Sequence, residues 1–387
     1  MNIKTTLWVT AVLTGALLFA ACSNPVGTDT DTDGGGTGGT TVANSSDWVQ
    51  LGTSSLPGYN SSIAFDSSDN LYVTFDDQDE FGNATVMKYD AGDWTAVGAR
   101  DFSDSQANRI EIAFDSQDTP YVVYPDGDYS DKATMWTYDG SSWGKVGNSG
   151  FSPQAAGDPV IAFAPDDTPY IAYGWSWKTA GTDELMVMKF NGSSWEEVGT
   201  ASLPYRGTAA YSPSLAFDSN GVLHVAFGRP KPEVWKYSDS GGWVQVGTTL
   251  SNEYADNRTA LAFDSSDTPY VGYSSDSGHP ATVMQYSGSS WVNFGAEDFT
   301  TRSVSDVQLA VDQQSDSVFI AFSESYFEDN VYKSMATVMK NDGSGWMKVA
   351  ESSISTDLIE HLSLALDSSG NPYVSYTIED ELFVAAP

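Results

Sequence analysis

The chain has 387 residues and carries 17 Lys+Arg against 52 Asp+Glu, a formal charge of −35. That balance removes the cationic surface on which phosphate backbones release their counterions, so nucleic-acid binding is excluded. With 40% hydrophobic, 13% aromatic and only 18% charged residues it is a folding chain rather than an acidic disordered one. Its 35 Gly, together with abundant Ser, Thr and Asn, point to short strands and tight turns rather than helices.

Lys4 precedes an apolar run over residues 7–21, too short for a membrane span of about 20 residues but of the right form for a secretory signal. The run ends Leu18-Phe19-Ala20-Ala21-Cys22, which resembles the lipobox of bacterial lipoproteins. The resemblance implies that residues 1–21 are a signal peptide, that Cys22 is lipidated, and that the protein sits at the cell envelope, at the outer membrane or cell surface, through that lipid alone. An ordinary signal peptide with a stray cysteine is the other reading. Cys22 is the only cysteine, so disulfides within the chain are impossible. Residues 22–47 read as a flexible Gly/Asp-rich tether. Asp29, Asp31 and Asp33 imitate a calcium loop, but position twelve is Thr40 where a bidentate Glu is required, so no metal is expected there.

From residue 48 the chain repeats itself. The marker Trp-x-x-[Val/Leu/Phe]-Gly recurs at Trp48, Trp94, Trp143, Trp195, Trp243 and Trp291, and Trp346 opens a variant ending in Ala350; successive spacings are 46, 49, 52, 48, 48 and 55 residues. Between markers lie an Ala-Phe-Asp-Ser…Pro-Tyr-Val-x-Tyr stretch, clearest at 112–124 and 261–273, and an Ala-Thr-Val-Met stretch running into the next Trp, as at 84–94 and 281–291. Each unit holds four short alternating segments; in the fifth they are 259–263, 269–273, 281–286 and 291–294. Four antiparallel strands in about 48 residues match one propeller blade, and the 3.6-residue period of a helical repeat is missing. Residues 48–387 are therefore predicted to be an all-β, seven-bladed propeller. The lone fourth-strand segment 48–52 is expected to complete the last blade, which lacks one, and so close the ring.

The units resemble the propeller repeats of bacterial surface lipoproteins and, more distantly, those of lectin, kelch and sialidase propellers. The sialidase Asp-box does not occur intact.

Residues that recur in every unit solve a packing problem shared by every blade. Ala64, Ala113, Ala162, Ala216, Ala262, Ala310 and Ala365 share one register of the first strand, and the marker Trp residues are expected between blades, with sugar stacking as the other use. Asp66, Asp115, Asp218, Asp264, Asp312 and Asp367 are expected to cap turns rather than ring a metal. His224 stands where other units carry Tyr and reads as a core substitution.

Function is expected where the units differ, in the fourth-to-first and second-to-third connections, which emerge on one face. All six arginines fall there or at strand junctions. A ligand is expected to meet Trp175, Trp177, Lys178, Tyr205, Arg206, Arg229, Tyr254, Arg302 and Tyr326. A second group shares the register five residues before the Phe of the first strand: Asn60, Arg109, Asp158, Ser212, Arg258, Asp306 and His361, which a ring would bring to the channel mouth. Blade order also allows Arg109 to pair with Asp158 and Arg258 with Asp306, leaving nothing for a ligand. No phosphate loop, zinc spacing or nucleophile elbow occurs, and no cofactor is expected. The sequence thus predicts a monomeric, non-enzymatic envelope propeller that binds glycan or surface polysaccharide. An envelope-protein scaffold is the alternative. A carbohydrate-active hydrolase or lyase using Asp158 and Asp306 comes third.

Overall fold

The computed structural model describes residues 47–175, 184–199, 203, 212–228, 231–238, 242–248, 250, 255–275, 280–328, 331–350, 354–355 and 358–387. The signal peptide, Cys22 and nearly all of the tether fall outside them. The described chain forms seven four-stranded antiparallel sheets. Blade 1 spans 58–96, blade 2 111–145, blade 3 157–197, blade 4 214–245, blade 5 255–293 and blade 6 303–348. Blade 7 takes three strands from 359–386, and Val49–Gln50 pairs antiparallel with Ala385–Ala386 in its fourth place. First strands of successive blades pack side by side all the way round, the seventh against the first included. No helix among the described residues is long and apolar enough to cross a membrane.

The core is a set of layers between blades rather than one central mass. In one, Val123, Met135 and Val146 of blade 2 meet Ile171, Tyr173 and Met186 of blade 3. The marker motif explains how these layers register. Six of the seven marker Trp residues, all but Trp48, send the indole N–H to a backbone carbonyl of the preceding blade, Trp143 to Val97 at 2.7 Å and Trp291 to Val246 at 2.8 Å. The marker Gly is the seat for the next Trp: at Gly98, φ +72°, an added Cβ would lie 2.7 Å from the Tyr138 ring and 3.2 Å from Trp143. Phe102 covers the Trp143 face at 4.1 Å and Phe151 covers Trp195 at 4.1 Å, each nearly parallel. Trp143 and Trp195 are thus packing elements, each with one ring face stacked on a Phe. His224 is also core, 5% exposed, with its ring edge-on to Phe263.

The turn between first and second strands does more than cap itself. Asp66 accepts from the backbone N–H of Ser68 and Asn70, and Asp115 does the same for Gln117 and Thr119. Three residues on, a left-handed Asp reaches back to the blade before it. Asp118 accepts from the N–H and hydroxyl of Ser67, both at 2.7 Å, and Asp167 from those of Ser116. The same clamp joins Ser219 to Asp267, Ser265 to Asp316 and, between blades 7 and 1, Ser368 to Asp69. At the two remaining junctions Ser and Asp are both replaced: Pro165 stands with Gly221, and Gln313 with Gly370.

The strands themselves run longer than the sequence pattern indicates. The first strand of blade 5 begins at Ala255 rather than 259. Tyr326, expected from sequence in a variable connection, lies instead on an 11-residue strand, Val318–Glu328, paired with Val331–Asn341. Alternation is legible only where one side is buried, and this hairpin runs out past the core, leaving Phe327 67% and Tyr332 60% exposed.

Candidate functional site

First strands from all seven blades line one cavity of about 250 Å³ at the axis. The register expected at the mouth is there: Asn60, Arg109, Asp158, Ser212, Arg258 and His361 line it directly, and Asp306 meets it through Arg258. The sequence could not show what holds these side chains. In blades 1, 3, 5, 6 and 7 the pairing of first and second strands skips at this position, as between Tyr59 and Ser62 and between Glu360 and Ser363. The mouth residue sits in the gap as a β-bulge, which turns it out of the pleat towards the axis. Six of the seven have left-handed backbones, with φ from 44° at Asn60 and Asp158 to 53° at His361. Asn and Asp tolerate that region; Arg109, Ser212 and His361 do so at a cost of about 1–3 kcal/mol each.

The mouth is polar and nearly charge-balanced. Arg109 Nη1 pairs with Asp158 Oδ1, whose other oxygen accepts from the Ser212 hydroxyl. Arg258 Nε lies 3.1 Å from Asp306 Oδ1. Burial works to raise the Asp158 carboxyl, but Arg258, Arg109 and Ser212 outweigh it and hold the group below the usual carboxylate range. Burial would likewise lower Arg258, yet Asp306, Asp158 and Glu111 keep its guanidinium more firmly protonated than usual. Desolvation lowers His361, with Arg258 and Arg109 helping and Asp306 opposing, so the imidazole is neutral near pH 7. Its ring meets Tyr59 edge-on at 4.4 Å. Asn60 is anchored from behind by Asp76, whose 1%-exposed carboxyl is pushed by burial up to about 6 against hydrogen bonds from Asn60 Nδ2 and the Tyr59 N–H.

Two groups of this site escape the sequence reading. Asp76 reaches Asn60 through the fold alone. Glu111, two residues past Arg109, lines the channel below the mouth. It was detectable in principle, because the matching position is Ser62, Ser214 and Ser363 in three other blades.

The aromatic and arginine group is brought together only in part. Arg302 stacks on Tyr326 at 4.6 Å and lies 3.9 Å from Glu324, and neither Arg302 nor Tyr326 lines the mouth cavity. Trp175 ends the second strand of blade 3, opposite Glu184. Its side chain, and Trp177, Lys178, Tyr205, Arg206, Arg229 and Tyr254, lie outside the described residues. No group of three or more His, Cys, Asp or Glu among the described residues is placed to hold a metal ion.

No family model matches the chain, and no curated protein sequence matches it. Among solved structures it is similar to a polysaccharide lyase of family PL25, an ulvan lyase, at 10% identity and TM-score 0.58 over 87% of this chain and 95% of that one. The lyase bound to -[GlcA(1-4)Rha3S]- gives a TM-score of 0.57. A chain of the mitotic checkpoint complex gives 0.56 at 13% identity, covering 94% of this chain and 98% of that one. At such identities the likeness is one of fold. It nevertheless corrects the expectation of a non-enzymatic protein: that expectation rested on missing motifs, and the structures that share this architecture include a polysaccharide lyase.

Proposed function

We propose that the protein engages a neutral saccharide at the channel mouth of an envelope-anchored propeller. The observation that carries the reading is the ring of bulged side chains whose two arginines are already matched by two aspartates. Unpaired arginines would suit carboxylate or sulfate. Paired ones offer donors and acceptors side by side with no net charge, which suits hydroxyl groups that both give and accept hydrogen bonds. The field of a protein at −35 also opposes the approach of an anionic chain. A cavity of about 250 Å³ lies just under the ~300–1,000 Å³ of typical small-molecule sites and takes a single sugar ring. In this reading Cys22 carries the lipid and residues 22–47 let the mouth stand away from the membrane; loss of lipid labelling on Cys22→Ala tests the anchor.

Soluble residues 47–387 probed on a glycan array test the site. Salt-tolerant hits among neutral glycans, weakened about tenfold or more by Arg109→Ala or Arg258→Ala, are the expected result. Hits confined to uronate or sulfated glycans would sink the neutral-saccharide reading. A flat array from folded protein would move the search to protein partners.

A second reading, cleavage of the bound glycan, is favoured by the field of Arg258 reaching both Asp158 and Asp306, which gathers two carboxylates at one cavity. New reducing ends or unsaturated products that disappear with Asp158→Asn or Asp306→Asn would establish it.

A further inference from the structure

Two residues past each mouth position, the first strands carry Ser62, Glu111, Val160, Ser214, Ala260, Gln308 and Ser363. This layer has a scaffold task that the structure shows plainly. The Ser62 hydroxyl accepts from the Ile112 N–H of the next blade at 3.5 Å, Ser214 from Leu261 at 2.9 Å, and Ser363 from Ile63 at 3.3 Å. Glu111 does the same for Ile161, at 3.5 Å, with Oε1 alone. A hydroxyl therefore suffices where only the blades have to be joined. The carboxyl at 111 adds a second oxygen that no hydrogen bond from the described residues engages, on a residue that lines the same cavity as the mouth ring.

We infer that Glu111 is a specificity-determining residue of the mouth: its carboxyl group, in the protonated form, donates a hydrogen bond to a hydroxyl of the saccharide from the channel side. The inference rests on the saccharide reading above and assigns that site its floor. Charge placement around Glu111 supports the protonated form. Around the same cavity stand Arg258 on blade 5 with its partner Asp306, Asp158 on blade 3, His361 on blade 7 and Arg109 just before the strand that carries Glu111. The guanidinium of Arg258 is held by Asp306 and shared with Asp158, and Arg109 is held by Asp158, so Glu111 has no cation to itself. Glu111 is half-buried, and desolvation pushes its carboxyl up to about 8, with the Ile161 N–H and then Arg258 pulling the other way. At pH 7 it is therefore mostly a neutral acid, able to donate from the carboxyl group while Oε1 keeps the Ile161 N–H.

The test uses the soluble 47–387 chain, calorimetric titration with a panel of neutral and uronic-acid oligosaccharides, and three variants. Wild-type affinity for the neutral members is expected to fall about tenfold as the pH rises from 7 to 9, the worth of one hydrogen bond to a ligand. Glu111→Gln, an uncharged donor, is expected to bind within threefold of wild type at pH 7 and to lose the pH step. Glu111→Ser, which restores the arrangement of blades 1, 4 and 7, is expected to fold normally and bind about tenfold more weakly. Glu111→Ala controls for loss of the Ile161 acceptor. Serine binding as tightly as wild type, or a pH step that survives in Glu111→Gln, would overturn the inference. A carbon-13 titration of the carboxyl in ligand-free protein, assigned by its disappearance in Glu111→Gln, separates the two layers of the argument. A midpoint near 4 refutes the protonated floor whatever the sugars do. A midpoint near 8 with no saccharide bound overturns the saccharide reading itself, and the ligand role of Glu111 with it.

Discussion

The turn side of the propeller and its channel mouth are built on the same sevenfold backbone and use it in opposite ways. On the turn side, one chemical solution is copied: a left-handed Asp that clamps a Ser of the blade before is present at five junctions and replaced as a matched pair at the other two, and a capping Asp precedes that position in every blade but the third, which has Ala164. At the mouth, six left-handed positions are also repeated, but the side chains they carry are Asn, Arg, Asp, Ser, Asp and His. Repetition of residue and backbone together marks a packing or joining task. Repetition of a strained backbone under changing residues marks a frame for something other than stability, because nothing in blade packing requires an Arg or a His to hold a left-handed conformation.

The largest effect that would sharpen this contrast comes from the packing layers. Trp291→Ala removes an 8%-exposed ring and its bond to Val246, and is expected to cost about 3–5 kcal/mol, read as a lower urea midpoint. Next comes removal of residues 47–51. Trp48 and Leu51 pack against the layers on the two sides of blade 7, and their loss with the Val49–Gln50 pairing is expected to cost about 2–4 kcal/mol and to leave an open sheet edge that self-associates on sizing columns. An unchanged midpoint would show that the first strand does not close the ring. At the mouth, Arg109→Asn is expected to change stability by less than about 1 kcal/mol, since Arg109 is half exposed, Asp158 keeps Arg258 and the Ser212 hydroxyl, and Asn accepts a left-handed backbone, while glycan binding falls about tenfold. A large stability loss there would erase the distinction between the two regions. The smallest effect concerns the clamps: Ser67→Pro with Asp118→Gly, copying the Pro165 and Gly221 junction, is expected to lower the unfolding temperature less than Asp118→Gly alone.

Acid should weaken the two regions differently. Burial works against Asp66, yet the N–H groups of Asn70 and Ser68 and the Asn70 side chain outweigh it; Asp167 and Asp267 are held low by the backbone and hydroxyl of their clamped serines. Each therefore lies below its unfolded value of about 3.9, and the stabilisation it provides is present above that pH and lost as the pH falls below it. Asp76 has the opposite sign: its folded value of about 6 exceeds the unfolded one, so the penalty of burying its charge, felt at neutral pH, is relieved as the pH falls from 6 towards 4. Thermal unfolding from pH 7 to 3 is expected to show a steep loss below pH 4 that is shallower in Asp167→Asn with Asp267→Asn, and Asp76→Asn is expected to stabilise slightly at pH 7 and not at pH 4.

The blade count, strand order and identity of the inter-blade Trp were legible because a sequence repeat exposes each solution seven times. The mouth register was legible for the same reason, by counting back five residues from Phe114 and Phe263. The clamps were legible only in half: Asp66 and its equivalents read as caps from local turn chemistry, whereas Asp118 serves a residue 51 positions away and Asp69 one 299 positions away, and neither gives a local signal. Arg302 and Tyr326, read as free for a ligand, stack on each other, a contact between a loop end and an extended strand that spacing does not reveal.

Composition, period and turn chemistry, which depend on neighbours within a few residues, were sufficient by themselves for an acidic, all-β, seven-unit propeller with one individual face. Only the tertiary structure decided how the charges at the axis are shared. Arg258 sees Asp306, Asp158 and Glu111 from three different blades, and its field, with the burial that sets Glu111 and His361, exists only once the ring brings those strands within a few ångströms of one another.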